Sequence, residues 1–216
     1  LGHQVSLYTL TRLVPRANEL AGSGVELIVD QKRSRLDWSV VRRLRSHIAS
    51  WRPDVVHGFL YDGNLYSRLA ALGCGVPVIN SERNDNYKLS LAQQIGYRAT
   101  NALCTAVVAN SHAGAAFAKG IHRLAEDRVH VVWNGIDLEE VQARLQRSDQ
   151  PARAVFPGEG LKRICMVASF KPEKDHLLAL RVMHQLLAQD AAWRLICVGD
   201  ELADGVSGYK AQVLEE

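Results

Sequence analysis

Short apolar runs alternate with stretches of helical periodicity along nearly the whole chain. Residues 5–10 alternate β-forming side chains, and residues 25–29 follow Gly24 as a second strand. Val40, Val41, Leu44, Ile48 and Trp51 form a helical stripe, with Asp37 or Ser39 as cap and Pro53 as stop. Residues 54–57 read as a short buried strand ending at His57, and Leu65, Leu69 and Leu72 mark a helix over 60–72. Gly73 and Gly75 punctuate the end of that helix. Residues 76–79 are the next strand, with Pro77 tolerated at its start. A polar loop over 81–86 leads to a helix over about 89–103 and then a strand over 106–109. Ser111 caps an alanine-rich helix, 129–132 is a further strand, and 138–145 is helical.

The same alternation resumes after a segment rich in Pro, Gly and charge at 150–160, which reads as a linker. Ile164 to Ala168 is an apolar run, and a break containing Pro172 follows. Leu177, Leu178, Leu180, Val182, Leu186 and Leu187 then recur at helical spacing, and 193–198 is another apolar run. Strands alternating with helices imply a parallel sheet covered on both faces, an α/β doubly wound architecture. The expected domains are 1–158, and 159–216 as the opening of a second.

Composition narrows the class. The chain has 216 residues, 47% hydrophobic and 23% charged, with a net charge of +3, an ordinary globular balance. Arg42, Arg43 and Arg45 are the densest basic cluster and fit a solvated helix face better than a nucleic-acid track, so no nucleic-acid partner is expected. Cys74, Cys104, Cys165 and Cys197 form no close pair, which argues against zinc or redox motifs and for a reducing cytoplasm. Cys165 and Cys197, in apolar runs, are expected to act as small core residues. No run reaches the roughly 20 apolar residues of a membrane span. No signal-peptide succession is visible, and a start at Leu1 suggests an excised piece. Phosphate-loop, zinc-peptidase and serine-hydrolase motifs are missing from the sequence.

Candidate chemistry gathers after strands. In open α/β sheets ligands bind at the carboxyl edge. Lys174, in the turn before a helix, adds a charge where a helix N-terminus already attracts anions, although most such turns bind nothing. His57 ends a strand, where a lone histidine is more often structural than functional. Arg83 follows the next strand beside Asn84; it can hold an oxyanion or pair with Glu82 or Asp85. Asn134-Gly135 is a turn signal whether or not it touches a ligand.

Three stretches occur in order: Val-Val-Trp-Asn-Gly-Ile-Asp at 131–137, the strand, basic turn and helix around Lys174-Asp175, and Val-Gly-Asp at 198–200. Together these resemble the retaining nucleotide-sugar glycosyltransferases of family 4, with the GT-B fold of two Rossmann-like domains. Pro53-Asp54-Val55-Val56-His57 is similar to that family's Pro-Asp-x-x-His motif. The resemblance implies transfer of a sugar from a nucleotide-diphosphate donor to a saccharide or lipid-linked acceptor, with retention and with no metal or cofactor, in polysaccharide or glycolipid synthesis. It places Lys174, Ser169, Asn134, Gly135 and Gly199 toward the donor, and His57, Arg83 and Asn84 toward the acceptor. It assigns no catalytic residue. It implies a cytoplasmic protein, with room for peripheral contact at the inner face of a membrane.

The chain departs from the family at three positions. Ser169 stands where many members have an arginine, Arg83 where many have a histidine, and Glu201 where a glycine is frequent. The first and third of these favour the rival reading, a non-catalytic nucleotide-binding or interaction module. The resemblance starts after the family's glycine-rich loop and stops before its paired glutamates, so the chain alone is expected not to transfer sugar.

Overall fold

The computed structural model describes residues 2–83, 89–147, 158–201 and 208–216. Asn84 and Asp85 lie outside the described residues. The chain divides into two compact units, Leu1–Ile136 and Asp137–Glu216. The boundary expected near 158 adjoins residues 148–157, also outside the described set.

In the first unit the elements run β1 (Ser6–Thr9), β2 (Glu26–Val29), α1 (Trp38–Trp51), β3 (Val56–Phe59), α2 (Leu60–Ala71), β4 (Val78–Glu82), α3 (Leu91–Thr100), β5 (Ala106–Ala109), α4 (His112–His122) and β6 (Val129–Val131). Strands β3, β4, β5 and β6 form a parallel sheet in that order, and β1 pairs with β2 in a separate parallel ladder. One core joins the two ladders. The buried stripe of α1, Val40, Val41, Leu44 and Ile48, meets Tyr66, Ala70 and Val78, with Tyr8 and Leu10 from the first ladder and Val56 from the second packed against it.

Local chemistry sets the helix ends. Asp37 accepts from the Ser39 N–H at 2.9 Å, and Ser111 accepts from the Gly114 N–H at 3.1 Å. Ser90 and Gln93 make a reciprocal capping box at the start of α3. Such caps are each worth about 1 kcal/mol.

Strand alternation decides which face does what. Val78, Asn80, Glu82, Val107 and Ala109 share one face and are all buried under the helices. Ile79, Ser81 and Val108 share the other, together with His57. Because β3 to β6 follow one another in one direction, right-handed crossovers stack their helices on a single face.

The helix-covered face holds a polar layer. Arg68, fully buried, donates to Asn80 Oδ1 (2.6 Å), to the Tyr97 carbonyl (3.2 Å) and to Thr100 Oγ1 (3.1 Å). Its guanidinium lies 5.1 Å from the Tyr97 ring centroid. Asn64 Nδ2 donates to Glu82 Oε1 at 3.1 Å. Gly58 lets this layer close up, since a Cβ there would sit 2.6 Å from Ser67 Oγ and 2.7 Å from the Gly63 carbonyl.

The second unit has α5 (Leu138–Gln146), β7 (Lys162–Val167), α6 (His176–Gln189), β8 (Trp193–Val198) and α7 (Tyr209–Glu215). β7 and β8 are parallel and in register from Lys162↔Trp193 to Val167↔Val198. Phe170, Tyr209 and Val213 form its small core. Cys165 does not join a core as expected. It is exposed, because a two-stranded ladder covers little of either face.

Candidate functional site

The first unit brings four of the expected residues together. His57, Ser81, Arg83, Val108, Val132, Trp133, Asn134 and Gly135 line a cleft of about 440 Å³. It lies at the carboxyl ends of β4, β5 and β6. His57 is not the last residue of its strand, because β3 continues to Phe59. Its position inside the ladder gives it a fixed partner: His57 Nε2 lies 2.8 Å from Ser81 Oγ. Its ring also stacks on Phe59, with centroids 4.3 Å apart. Partial burial, with the nearby Arg83 charge, holds the His57 pKa below the usual imidazole range.

Arg83 leaves the end of β4 and turns back over the sheet. Its Nη1 donates to Asn134 Oδ1 at 2.5 Å, and its guanidinium carbon lies 5.6 Å from the Phe59 ring centroid. Both of these partners are neutral; of the acids open to Arg83 in the sequence, Glu82 turns to the opposite face and Asp85 lies outside the described residues. Asn134 therefore fixes an arginine from a turn 51 residues away. Three further residues of the site were not singled out from the sequence. Ser81 is set by the strand register, Phe59 by the extension of β3, and Trp133 only by its place before Asn134-Gly135. The Trp133 ring meets His112 edge-on at 5.3 Å.

In the second unit Lys174 lies in the turn before α6. It ends a one-turn 3-10 helix, Pro172–Lys174, and Asp175 intervenes before α6. Asp175 adopts a left-handed φ of 51°, and its carboxylate caps α6 by accepting from the Leu178 N–H at 3.2 Å. The helix start already holds an anion, so Lys174 acts as a point charge without the full help of the dipole. Its stem lines an apolar groove of about 310 Å³ with Ile164, Met166, Leu178, Val182 and Leu195.

Ser169 lies in the same turn, between Ala168 and a buried Phe170. The Phe170 N–H donates to the Asp200 carbonyl at 3.1 Å, tying the turn to the end of β8. Gly199 is required there. Its φ is +151°, and a Cβ would lie 2.0 Å from the Ala168 carbonyl oxygen. Glu201 reaches away to accept from the Lys210 N–H at 2.7 Å. His176 is fully buried and stacks on Phe170 at 4.3 Å.

No group of His, Cys, Asp and Glu among the described residues could hold a metal ion. No described helix is long and apolar enough to cross a membrane.

A model of Glycosyltransferase Family 4 matches residues 1–140. The chain belongs to glycosyltransferase family 4. No curated protein matches it. Solved structures resemble it over nearly its whole length. HepE from Anabaena, in complex with UDP and glucose, has a TM-score of 0.72 at 13% identity over 97% of this chain and 57% of that one. A glycosyltransferase from Rickettsia africae has a TM-score of 0.69 at 16% identity, over 99% and 56%. A UDP-N-acetylglucosamine 2-epimerase from Rickettsia bellii has a TM-score of 0.52 at 11% identity, over 97% and 67%. At these identities the likeness shows the fold, an α/β Rossmann-like arrangement of GT-B type. The chain spans a little over half the length of the first two of these structures.

Proposed function

We propose that the whole protein transfers a sugar from a nucleotide-diphosphate sugar to a saccharide or lipid-linked acceptor, in polysaccharide or glycolipid assembly. One observation carries this reading. In a chain of this family, His57, Arg83, Asn134 and Gly135 converge on one cleft at the carboxyl ends of parallel strands. The cleft would receive the acceptor, with Arg83 and His57 orienting it; Asn134 and Gly135, which line the same cleft, would contact the donor. In the second unit Lys174 would hold the donor diphosphate and offset charge on the leaving group. Ser169 and the Gly199 backbone would lie along that donor, in a turn that only a glycine at 199 lets pack against the Ala168 carbonyl. Transfer would proceed with retention and without a metal, in the cytoplasm, at the inner membrane face where the acceptor is lipid-linked. Complexes of HepE with UDP-glucose support a nucleotide-sugar donor for this fold.

The experiment is a turnover assay of the whole protein against a panel of nucleotide sugars, with the product anomer read by NMR. Acceptor-dependent transfer with the donor's configuration kept is the expected result. Nucleotide-sugar binding without transfer to any acceptor would favour the rival binding module. An inverted anomer would remove the retaining assignment.

A further inference from the structure

We infer that the cleft of the first unit selects an anionic saccharide, a sugar ring carrying a phosphoryl or carboxylate group, as the acceptor. The inference rests on the transferase reading above and narrows its acceptor class.

Three features of the cleft argue for it. First, its charge is one-sided. Arg83 is the one lining residue with a full charge, and no salt bridge to it occurs among the described residues. The nearest acid in sequence, Glu82, points the other way. Strand alternation turns it to the helix-covered face, where it is fully buried and accepts from Asn64.

Second, the partners that hold Arg83 among the described residues are neutral. Asn134 Oδ1 takes one N–H, and the Phe59 ring lies against the guanidinium. A guanidinium has five N–H donors in a rigid fork that matches a carboxylate or phosphate. A neutral amide and a ring fix its direction and leave its charge for a ligand. A ligand oxyanion there would also meet the Ser81 hydroxyl, itself positioned by His57.

Third, the wall beside the arginine suits a sugar. Trp133 is 64% exposed yet braced by His112, and Val108 and Val132 flank it. An open indole face next to a charged fork offers apolar contact to a pyranose ring and a charge-assisted hydrogen bond to its substituent. A neutral sugar would use the first and leave the second unmet.

The test is calorimetric titration of the 216-residue chain with glucose 6-phosphate, glucuronate, glucose, inorganic phosphate and UDP. The two anionic sugars should bind at least about tenfold more tightly than glucose, the scale of one hydrogen bond to a charged group. Arg83→Gln should bring both down to the level of glucose, with circular dichroism showing an unchanged fold. Trp133→Ala should weaken the anionic sugars and leave inorganic phosphate where it was. Glucose binding as tightly as its phosphate ester would overturn the inference, as would an Arg83→Gln chain with unchanged affinity. UDP displacing glucose 6-phosphate through Arg83 would assign the anion site to the donor and overturn the acceptor assignment. In turnover, equal transfer to neutral and anionic acceptors would sink the inference while leaving the transferase reading intact. No transfer to any acceptor, with the calorimetric preference preserved, would sink the transferase reading alone.

Discussion

Arg83 and Lys174 begin from the same kind of signal, a cation just past a strand in a parallel α/β pattern, and end in different physical situations. Arg83 is held by Asn134 and Phe59 above a sheet whose other face is a closed polar layer. Lys174 is exposed, lies on an apolar groove, and sits next to a carboxylate that has already capped the helix. The first site is pre-organised by neighbours distant in sequence. The second has its charge in place and the ordering of its side chain still to come from a ligand, which costs affinity. Position after a strand thus marks where a site can be, and the packing behind it decides how much is built in advance.

That contrast is most sharply broken by removing the support of the first site. Arg68→Ala would strand Asn80 and Thr100 without their buried donor and leave the Glu82 carboxylate in a layer that has lost its cation. Breaking a buried charged network in this way costs about 3–5 kcal/mol. Urea unfolding followed by circular dichroism should show that loss. A change under about 1 kcal/mol, the size of a surface effect, would mean that the layer does not support the cleft.

The second site should respond in binding and not in stability. Lys174→Ala is expected to weaken nucleoside-diphosphate binding by about 1.5–3 kcal/mol, the range for a hydrogen bond to a charged group. Its unfolding midpoint should stay in place, since an exposed lysine contributes little to folding. An unchanged dissociation constant would remove Lys174 from the donor site.

The smallest effect concerns the edge of the first unit. Asp30 accepts two hydrogen bonds from Arg43, at 2.9 and 2.8 Å, and another from the Tyr8 hydroxyl. The Arg43 guanidinium holds the Asp30 carboxyl down to about 2. The folded value lies below the unfolded one, so the contribution is full above about pH 4 and is lost as pH falls toward 2. Solvent screening keeps it modest. In an acid titration followed by tryptophan fluorescence, Asp30→Asn should flatten the stability curve between those values. An unaltered acid limb would show that the pair carries no stability.

Much of the fold was legible in the sequence because its signals are local. The stripe Val40, Val41, Leu44, Ile48 and the caps at Asp37 and Ser111 depend only on nearby residues, and each appears where its spacing places it. The convergence of His57 and Arg83 was readable as a shared sheet edge, but the arrival of Asn134 beside them and the contacts of all three were not. Those contacts follow from register, which pairs His57 with Ile79 and so brings Ser81 within reach. Lys174 shows the opposite limit. Its neighbourhood was clear, yet the left-handed Asp175 that takes over the cap is a backbone feature with no periodicity to reveal it. Cys165 was misjudged because an apolar run does not say how many strands will cover it.

The two ladders of the first unit share a core but no hydrogen bonds, and this has a practical side. β1 and β3 each keep one rim of open N–H and C=O groups among the described residues. The side chains there are not polar gatekeepers: Val5 and Leu7 are 47% and 41% exposed, and Val55 and Phe59 are 45% and 46%. A second molecule can extend such a rim as readily as a segment of the same molecule. The apolar rims of β1 and β3 are thus the places where added copies of this chain would pair as concentration rises.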